Sequence, residues 1–150
     1  MTDPDRNELD AVRAAFNEIA ADYLGRVDDL PALNYDAARE ALAGFQRSLP
    51  SEGIGAEAAL RELYENGLPA TGTTSGPRFF HWVVGGSTPA AMGADWLTSL
   101  LDNPSYAWVG SPLTVDLEIL SLEWLKDLFG LHEDMTGVMV TGASMANFVG

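Results

Sequence analysis

Several residue types are scarce or missing in this chain of 150 residues. It has no cysteine, which excludes thiol catalysis, disulfides and cysteine-ligated zinc, and fits a reducing cytoplasm. It has only two histidines, too few for a histidine-rich metal site, so we predict no bound metal. Eight basic residues stand against 22 acidic ones, and the formal net charge of −14 predicts that the chain repels nucleic acid and anionic membranes.

Long apolar runs are also missing. No run reaches the roughly 20 residues of a membrane-spanning helix, and the acidic N-terminus differs from a signal peptide. Hydrophobic residues nevertheless make up 47% of the chain, which is enough for a globular domain with a core. We therefore expect a cytoplasmic protein without a membrane segment.

Apolar spacing and helix-end signals predict five helices before residue 137. The first begins at Asp3-Pro4 and ends near Gly25, and the next four are predicted at about 36–48, 56–66, 89–102 and 112–129. The first three carry few large apolar side chains. We therefore expect them to pack against the rest of the chain or against a partner subunit.

The fifth predicted helix has the most apolar sequence. Ser111 and Pro112 supply an N-cap and a first-turn proline, and Gly130 supplies the stop. Because the helix is apolar around most of its circumference, we predict burial between layers or subunits, and an oligomeric or molten state for the chain alone. Its carboxylates are expected to form a narrow solvated stripe or to cap a neighbouring element, rather than to act as paired catalytic groups: Asp116, Glu118 and Glu123.

The last residues, 137–150, read as a strand, a tight loop and the start of a helix. Val138–Val140 is a short apolar run with β-branched ends, and the small residues at 141–144 allow the backbone to approach an anion closely. The helix that follows presents its free N–H groups and positive dipole end to this loop. Such a corner has the form of a phosphate cradle.

Three classes of protein use a corner of this kind. The loop looks like the nucleotide loop of short-chain dehydrogenases, but Ala146 and Phe148 stand where that fingerprint has glycines. The spacing Gly142-x-Ser144-x-Ala146 is one letter from the nucleophile elbow of hydrolases. The run 143–147 fits the small-Ser-x-Ala-Asn phosphate loop of pyridoxal-phosphate enzymes. An ordinary turn between a strand and a helix is the fourth interpretation.

An aromatic run from Pro77 to Val84 precedes Gly85 and Gly86. Its pattern predicts an apolar strand or an extended buried segment that ends in a turn, with His81 as a hydrogen-bonded core histidine. The functional interpretation is a pocket wall, because aromatic side chains beside flexible glycines suit a ring-shaped ligand.

A series of short motifs runs along most of the chain: Ala21–Leu24, Leu49-Pro50, Leu68-Pro69, Pro77–Phe80, Pro89–Met92, Asp95–Leu97, Ser111-Pro112, Leu117-Glu118, Glu123–Leu125 and Ala143–Asn147. In this order and spacing they resemble the group II pyridoxal-phosphate decarboxylases, which include the aromatic-L-amino-acid and glutamate decarboxylases. The similarity covers the N-terminal third of that family, and it favours the phosphate-loop interpretation of the last motif.

The resemblance implies a fold class and a division into domains. The chain is expected to be mostly α, with N-terminal helices followed by the first strand and helix start of an α/β large domain of the fold-type I, PLP-dependent transferase-like class. Residues 1–75 would form the N-terminal helical segment, and residues 76–150 a truncated beginning of the cofactor-binding domain. In this family the N-terminal helices wrap across the other subunit of a dimer.

The resemblance also implies the site residues. Ala143 and Ser144 would hold the phosphate of pyridoxal 5'-phosphate, while Trp82, Val83 and Gly85 would line the substrate pocket. Aromatic decarboxylases often carry Pro-Thr where positions 84 and 85 hold Val-Gly here, so the resemblance leaves the substrate open.

The family's cofactor-binding lysine, its ring-pairing aspartate and its stacking histidine would all lie beyond residue 150. Lys126 is the only lysine in the chain and is expected to be a solvated surface residue. No catalytic residue is therefore expected within this sequence. We expect the N-terminal part of a PLP-dependent amino-acid decarboxylase, with an amino acid as substrate and a homodimer mate or a complementing C-terminal chain as partner. The alternative is a non-catalytic remnant or a dimerisation module that binds a homologous subunit.

Overall fold

The computed structural model describes residues 3–45 and 48–150. Six α-helices lie in these described ranges: α1 (Asp3–Arg26), α2 (Tyr35–Phe45), α3 (Ala56–Gly67), α4 (Pro89–Leu101), α5 (Pro112–Phe129) and α6 (Ala143–Val149). A 3-10 turn, Leu68–Ala70, follows α3 directly. The chain divides into two compact units, residues 1–87 and 88–150. The domain boundary expected at 75/76 concerns the complete family fold and stays a prediction.

The helix ends agree with the sequence signals that mark them. Thr88 caps α4, and its side-chain oxygen accepts a hydrogen bond from the Ala91 N–H at 3.2 Å. Gly130 ends α5 with a φ of 63°, in the left-handed region that glycine adopts readily. Ser111 precedes α5 as expected, but its side chain makes no capping hydrogen bond. The second helix is described as far as Phe45, and residues 46–47 of its predicted span lie outside the described residues.

In the first unit, polar side chains join α1 to α3. The Ala56 N–H at the start of α3 donates to the Glu8 carboxylate of α1 at 2.9 Å, so α1 supplies a cap that Gly55 cannot. One turn further along, the Arg61 guanidinium pairs with Glu18 of α1 at 2.8 Å. The connection between the two helices therefore depends on hydrogen bonds and ion pairs.

Tyr64 extends this connection toward the C-terminal end of α1. Its hydroxyl donates to the Asp22 carboxylate at 2.6 Å, and Asp22 also pairs with Arg26 at 3.2 Å. Partial burial, together with the hydrogen bond and negative charge of Asp22, raises the pKa of Tyr64 to about 12, because each disfavours the phenolate. The paired residues follow the same order along both helices, so α1 and α3 run in the same direction.

The apolar side chains of this unit face an open groove of about 600 Å³. It lies among the first three helices and is lined chiefly by Phe16, Ile19, Leu42, Phe45, Leu60 and Leu63. Ala15 is the only buried apolar residue in the described part of the chain. This agrees with the expectation that these helices are too poor in large apolar side chains to close a deep core.

In the second unit, α4, α5 and α6 do not pack on one another. The apolar side chains of α5 are largely exposed, with Trp124 at 63%, Leu128 at 75% and Phe129 at 67%. The burial predicted for this helix requires a covering layer, and no second layer of helix or sheet is present in this unit.

The strand predicted at Val138–Val140 is not formed, and no strand occurs anywhere in residues 3–45 and 48–150. A strand is stabilised by pairing with a neighbour, and the described chain offers this run no partner. The Met139 N–H instead donates to the Glu118 carboxylate of α5 at 3.0 Å. The fold is therefore helical, and the sheet of the expected α/β domain is not observed.

Within the described ranges, no helix is both long enough and apolar enough to cross a bilayer.

The raised pKa of Tyr64 predicts a loss of stability at high pH. In the unfolded chain the phenol loses its proton near its ordinary pKa of 10.0, whereas in the folded chain it does so near 12. Between these values the folded state holds more protons, so the free energy of unfolding falls as the pH rises from 10 to 12. Denaturant unfolding, followed by the helical circular dichroism signal across this pH range, measures the fall.

Tyr64→Phe removes the titrating group and is expected to flatten this pH dependence. Tyr35→Phe is the matched control, because the Tyr35 side chain is 67% exposed on α2. A decline that persists unchanged in Tyr64→Phe would contradict the assignment to Tyr64.

The exposed apolar surface of α4 and α5 predicts that the isolated chain is not a stable monomer. Trp96 of α4 is 47% exposed and Trp124 of α5 is 63% exposed, so large indole surfaces remain in water. We expect self-association or molten behaviour, with binding of an apolar dye and poorly dispersed amide NMR signals. A monomeric mass at low micromolar concentration, together with a cooperative melt and dispersed signals, would refute this.

Candidate functional site

Gly142 forms the turn into α6. It has φ 81° and ψ 155°, a conformation that glycine adopts without strain. Ala143 and Ser144 are the first two residues of α6, and both are exposed. The first helical hydrogen bond runs from the Ala146 N–H to the Gly142 carbonyl at 3.2 Å. The N–H groups of residues 143–145 precede it, so they have no acceptor within the helix.

The stretch of sequence around this turn carries no charged side chain. No charged residue occurs between Met135 and Gly150, although the chain contains 22 acidic residues. An anion at the start of α6 therefore meets no carboxylate from this stretch of sequence. The positive end of a helix favours such an anion by about 0.3–1 kcal/mol.

Two carboxylates of α5 hold neighbouring segments. Glu118 accepts the Met139 N–H at 3.0 Å, and Asp116 accepts the indole N–H of Trp108 at 3.2 Å. Met139 and Trp108 lie outside the helices, so these two carboxylates bind loop residues, and the predicted cap on a neighbouring element is not observed. Neither pairs with another carboxylate in the way that general acid–base catalysis would require.

The segment that leads into the turn lies close to α5. A Cβ atom added to Gly137 would come within 3.1 Å of Leu122 Cδ2. An open groove of about 490 Å³ runs along this segment and α6, and it is lined by Thr136, Gly137, Val138, Val140, Ala146 and Val149. The turn and α6 are thus positioned by α5 through Glu118 and Leu122.

Lys126 is not the solvated surface residue that we expected. Its side chain is 16% exposed, and its ammonium group donates to both Glu123 carboxylate oxygens at 3.0 and 3.1 Å and to the Glu133 carbonyl at 3.1 Å. An ammonium group has three donors, and all of them are engaged here. The amine is therefore engaged by these acceptors and is not positioned to act as a nucleophile.

The prediction that the aromatic segment is buried is wrong for the first unit. Phe80 is 88% exposed, Trp82 80% and Val83 104%. His81 is exposed as well, and its ring meets that of Phe79 edge-on, with the ring centroids 5.5 Å apart. An apolar run is buried only where another element covers it, and nothing in the described part of the first unit (residues 3–45 and 48–87) covers this one.

The backbone is strained at the same place. Trp82 has φ 64° and Val83 has φ 56°, both in the left-handed region. Such a φ is a genuine outlier for a β-branched residue, and each residue held there costs about 1–3 kcal/mol. Gly86 follows with φ 72°, which glycine tolerates. Strain of this kind is concentrated at ligand-binding segments in proteins.

The structure divides the predicted site residues between its two units. Trp82, Val83 and Gly85 lie together in residues 1–87, whereas Ala143 and Ser144 lie in residues 88–150. No sequence pattern singled out Thr73, which is 5% exposed and hydrogen-bonded to residues 31 and 32. A threonine among Thr, Gly and Ser residues reads as an ordinary loop residue, and only the fold shows its partners. In the part of the chain that the structure describes, no group of three or more His, Asp or Glu side chains is arranged to bind a metal ion.

Residues 41–150, more than two thirds of the chain, match the family model of the pyridoxal-dependent decarboxylase conserved domain. The chain belongs to the pyridoxal-dependent decarboxylase family, the group II decarboxylases that use pyridoxal 5'-phosphate as cofactor.

Individual relatives agree with this membership. Tryptophan decarboxylase 1 of Oryza sativa subsp. japonica is 23% identical over 114 residues, 76% of this chain and 22% of that protein. Aromatic-L-amino-acid decarboxylase of Bacillus atrophaeus is 28% identical over 100 residues, 67% of this chain and 21% of that protein. Phenylacetaldehyde synthase of Arabidopsis thaliana is 25% identical over 116 residues, 77% of this chain and 24% of that protein.

The chain thus aligns with between 21% and 24% of the length of these three relatives. No solved structure is a significant match.

The contacts of Lys126 predict that this chain does not bind the cofactor covalently by itself. After incubation with pyridoxal phosphate and reduction with borohydride, we expect no stoichiometric adduct at Lys126, because its ammonium is held by Glu123 and Glu133. Peptide mapping by mass spectrometry measures the adduct, with Lys126→Arg as the control for modification elsewhere. A specific, stoichiometric adduct at Lys126 would contradict this prediction.

Proposed function

We propose that this chain is part of a PLP-dependent amino-acid decarboxylase, a carboxy-lyase, in which it carries the cofactor-phosphate loop and part of the substrate pocket. The observation that carries the proposal is the turn at Gly142, which begins α6 with N–H groups that have no helical acceptor, inside the stretch that matches the decarboxylase family. The lysine that binds the cofactor would come from outside these 150 residues, because the only lysine present is engaged in other contacts.

The residues at this turn suit a phosphate group. Gly142 keeps the approach to the N–H groups open, since no atom lies within 4 Å of where its Cβ would stand. Ser144 is exposed and offers both an N–H and a hydroxyl donor, and the sequence around it carries no negative charge. Donors of these types at a helix start are a common way of binding phosphate.

Trp82, Val83 and Gly85 are proposed to line the substrate side. Because these residues are exposed, the indole and the valine methyl groups are available to a ligand or to a covering element. The left-handed φ values of Trp82 and Val83 indicate a strained backbone conformation. Aromatic and small side chains of this kind would orient an amino-acid side chain by apolar contact and exclude water.

The pyridoxal ring, when bound, supplies the electron sink for loss of carbon dioxide. In this reaction, Ser144 of this chain would bind the cofactor phosphate, and Trp82 would contact the substrate side chain. The names of the relatives favour an aromatic L-amino acid as substrate. This chain, however, has Val84-Gly85 where aromatic decarboxylases often carry Pro-Thr. The substrate class that we propose is therefore an L-amino acid, with its side chain left unspecified.

A second candidate is a non-catalytic module that binds a homologous subunit. It is favoured by the exposed apolar surface of α5, which a partner would cover. Restoration of decarboxylase activity by a chain that carries the missing lysine would decide for the enzyme. A stable complex that shows no cofactor binding would decide for the module.

The phosphate assignment predicts that Ser144→Ala weakens cofactor binding in the assembled protein. Loss of a hydrogen bond to a charged group costs about 1.5–3 kcal/mol, which is roughly a ten- to hundredfold rise in Kd. Titration with pyridoxal phosphate, followed by cofactor fluorescence, gives the Kd.

Asp116→Asn is the control, because it removes a charge from α5 but keeps the oxygen that accepts the Trp108 indole N–H. We expect its Kd to stay near that of the wild type. Equal cofactor affinity in wild type and Ser144→Ala would mean that this corner is an ordinary turn.

A further inference from the structure

Thr73 is one of two buried polar residues in the described part of the chain. Its hydroxyl donates to the Pro31 carbonyl at 2.9 Å, and its N–H donates to the Ala32 carbonyl at 3.0 Å. One residue thus makes two hydrogen bonds to consecutive carbonyls of the α1–α2 connection. Two bonds from adjacent atoms fix direction as well as distance, which a single bond does not.

Further contacts hold the same loop against the same connection. The Ser75 hydroxyl lies 3.0 Å from the Tyr23 hydroxyl, and the Arg78 guanidinium donates to the Asp28 carbonyl. A Cβ atom on Gly76 would lie 3.0 Å from the Val27 carbonyl oxygen, so the two backbones approach as closely as glycine allows.

Backbone hydrogen bonds connect this loop to the start of the aromatic segment. The Gly76 N–H donates to the Thr73 carbonyl at 3.0 Å, and the Phe79 N–H donates to the Gly76 carbonyl at 3.4 Å. The Phe79 ring lies against both Gly72 and His81. A Cβ atom on Gly72 would lie 3.2 Å from Phe79 Cε2, and the rings of Phe79 and His81 meet edge-on. Two successive turns therefore connect Thr73 to the residue from which the aromatic segment extends.

We propose that Thr73 is a positioning residue: through its two hydrogen bonds to Pro31 and Ala32 it sets the backbone path of residues 79–83, the segment that would line the substrate pocket. The strained φ values of Trp82 and Val83 follow directly on this anchored stretch, since the contacts of Thr73 and Arg78 hold the chain as far as Phe79. The consequence for substrate rests on the proposed function, whereas the consequence for the backbone does not.

Hydrogen exchange of this chain, read by mass spectrometry on a peptide that covers residues 73–79, tests the backbone part, because the N–H groups of Thr73, Gly76 and Phe79 are hydrogen-bonded. Thr73→Val keeps the shape and removes the hydroxyl donor, so exchange in this peptide is expected to accelerate roughly fivefold to tenfold, the equivalent of one hydrogen bond. Thr73→Ser restores the donor and is expected to exchange like the wild type. Thr74→Val is the matched control, because Thr74 is an exposed neighbour.

Arg78→Gln gives a second variant in case Thr73→Val disturbs folding. The Arg78 side chain is 55% exposed, so its replacement leaves the helices intact while it removes the guanidinium donor to Asp28. Acceleration confined to residues 73–79, with unchanged exchange in α1 and α3, is the expected pattern. Unchanged exchange in both variants, or an equal acceleration throughout residues 1–87, would overturn the proposal.

The substrate part is read from the steady-state kinetics of the assembled decarboxylase with L-tryptophan or L-tyrosine. Thr73→Val is expected to raise KM severalfold, on the order of one hydrogen bond in free energy, with kcat changed much less, and Thr73→Ser to reverse the effect. Faster exchange with an unchanged KM would overturn the role in substrate placement. If the wild type has no activity, the proposed function fails, and the exchange experiment still decides whether Thr73 positions the segment.

Discussion

The polar contacts between α1 and α3 set how the first unit is arranged. Ala15 is the only fully buried apolar residue in the described part of the chain, and the larger apolar side chains of these helices are partly buried along an open groove. Glu8, Glu18 and Asp22 of α1 reach three successive places on α3, where they cap its first turn, pair with Arg61 and accept from Tyr64. Exposed ion pairs are individually weak, usually below about 1 kcal/mol, so the arrangement depends on several acting together.

The second unit, in contrast, has apolar helices that are largely exposed. α4 and α5 carry most of its apolar side chains, yet neither helix packs on another element, and the described chain supplies no sheet. Membership of the pyridoxal-dependent decarboxylase family accounts for this surface if further layers of the fold cover it. The turn that begins α6 is nevertheless positioned locally, because Glu118 holds Met139 and Leu122 lies against Gly137.

The sequence predicted the parts of this structure that depend on nearby residues. The start of α5 at Pro112 and its end at Gly130 follow from end signals within one turn, so they could be found without knowledge of the fold. The strand at 138–140 and the burial of the aromatic segment were predicted wrongly, since each requires a neighbour that sequence pattern alone does not guarantee. The contacts of Thr73 and Lys126 were missed for a related reason: the carbonyl groups that they bind belong to residues whose backbone has no distinctive sequence.

The left-handed backbone at Trp82 and Val83 bears on how this sequence can change over time. Glycine would relieve the strain at either position, and selection for stability alone would favour that replacement. A large indole and a branched side chain are present instead, at a cost of about 1–3 kcal/mol for each residue. Under the proposed function these side chains line the substrate pocket, and the strain they carry is an instance of the trade-off between stability and activity that is typical of binding sites.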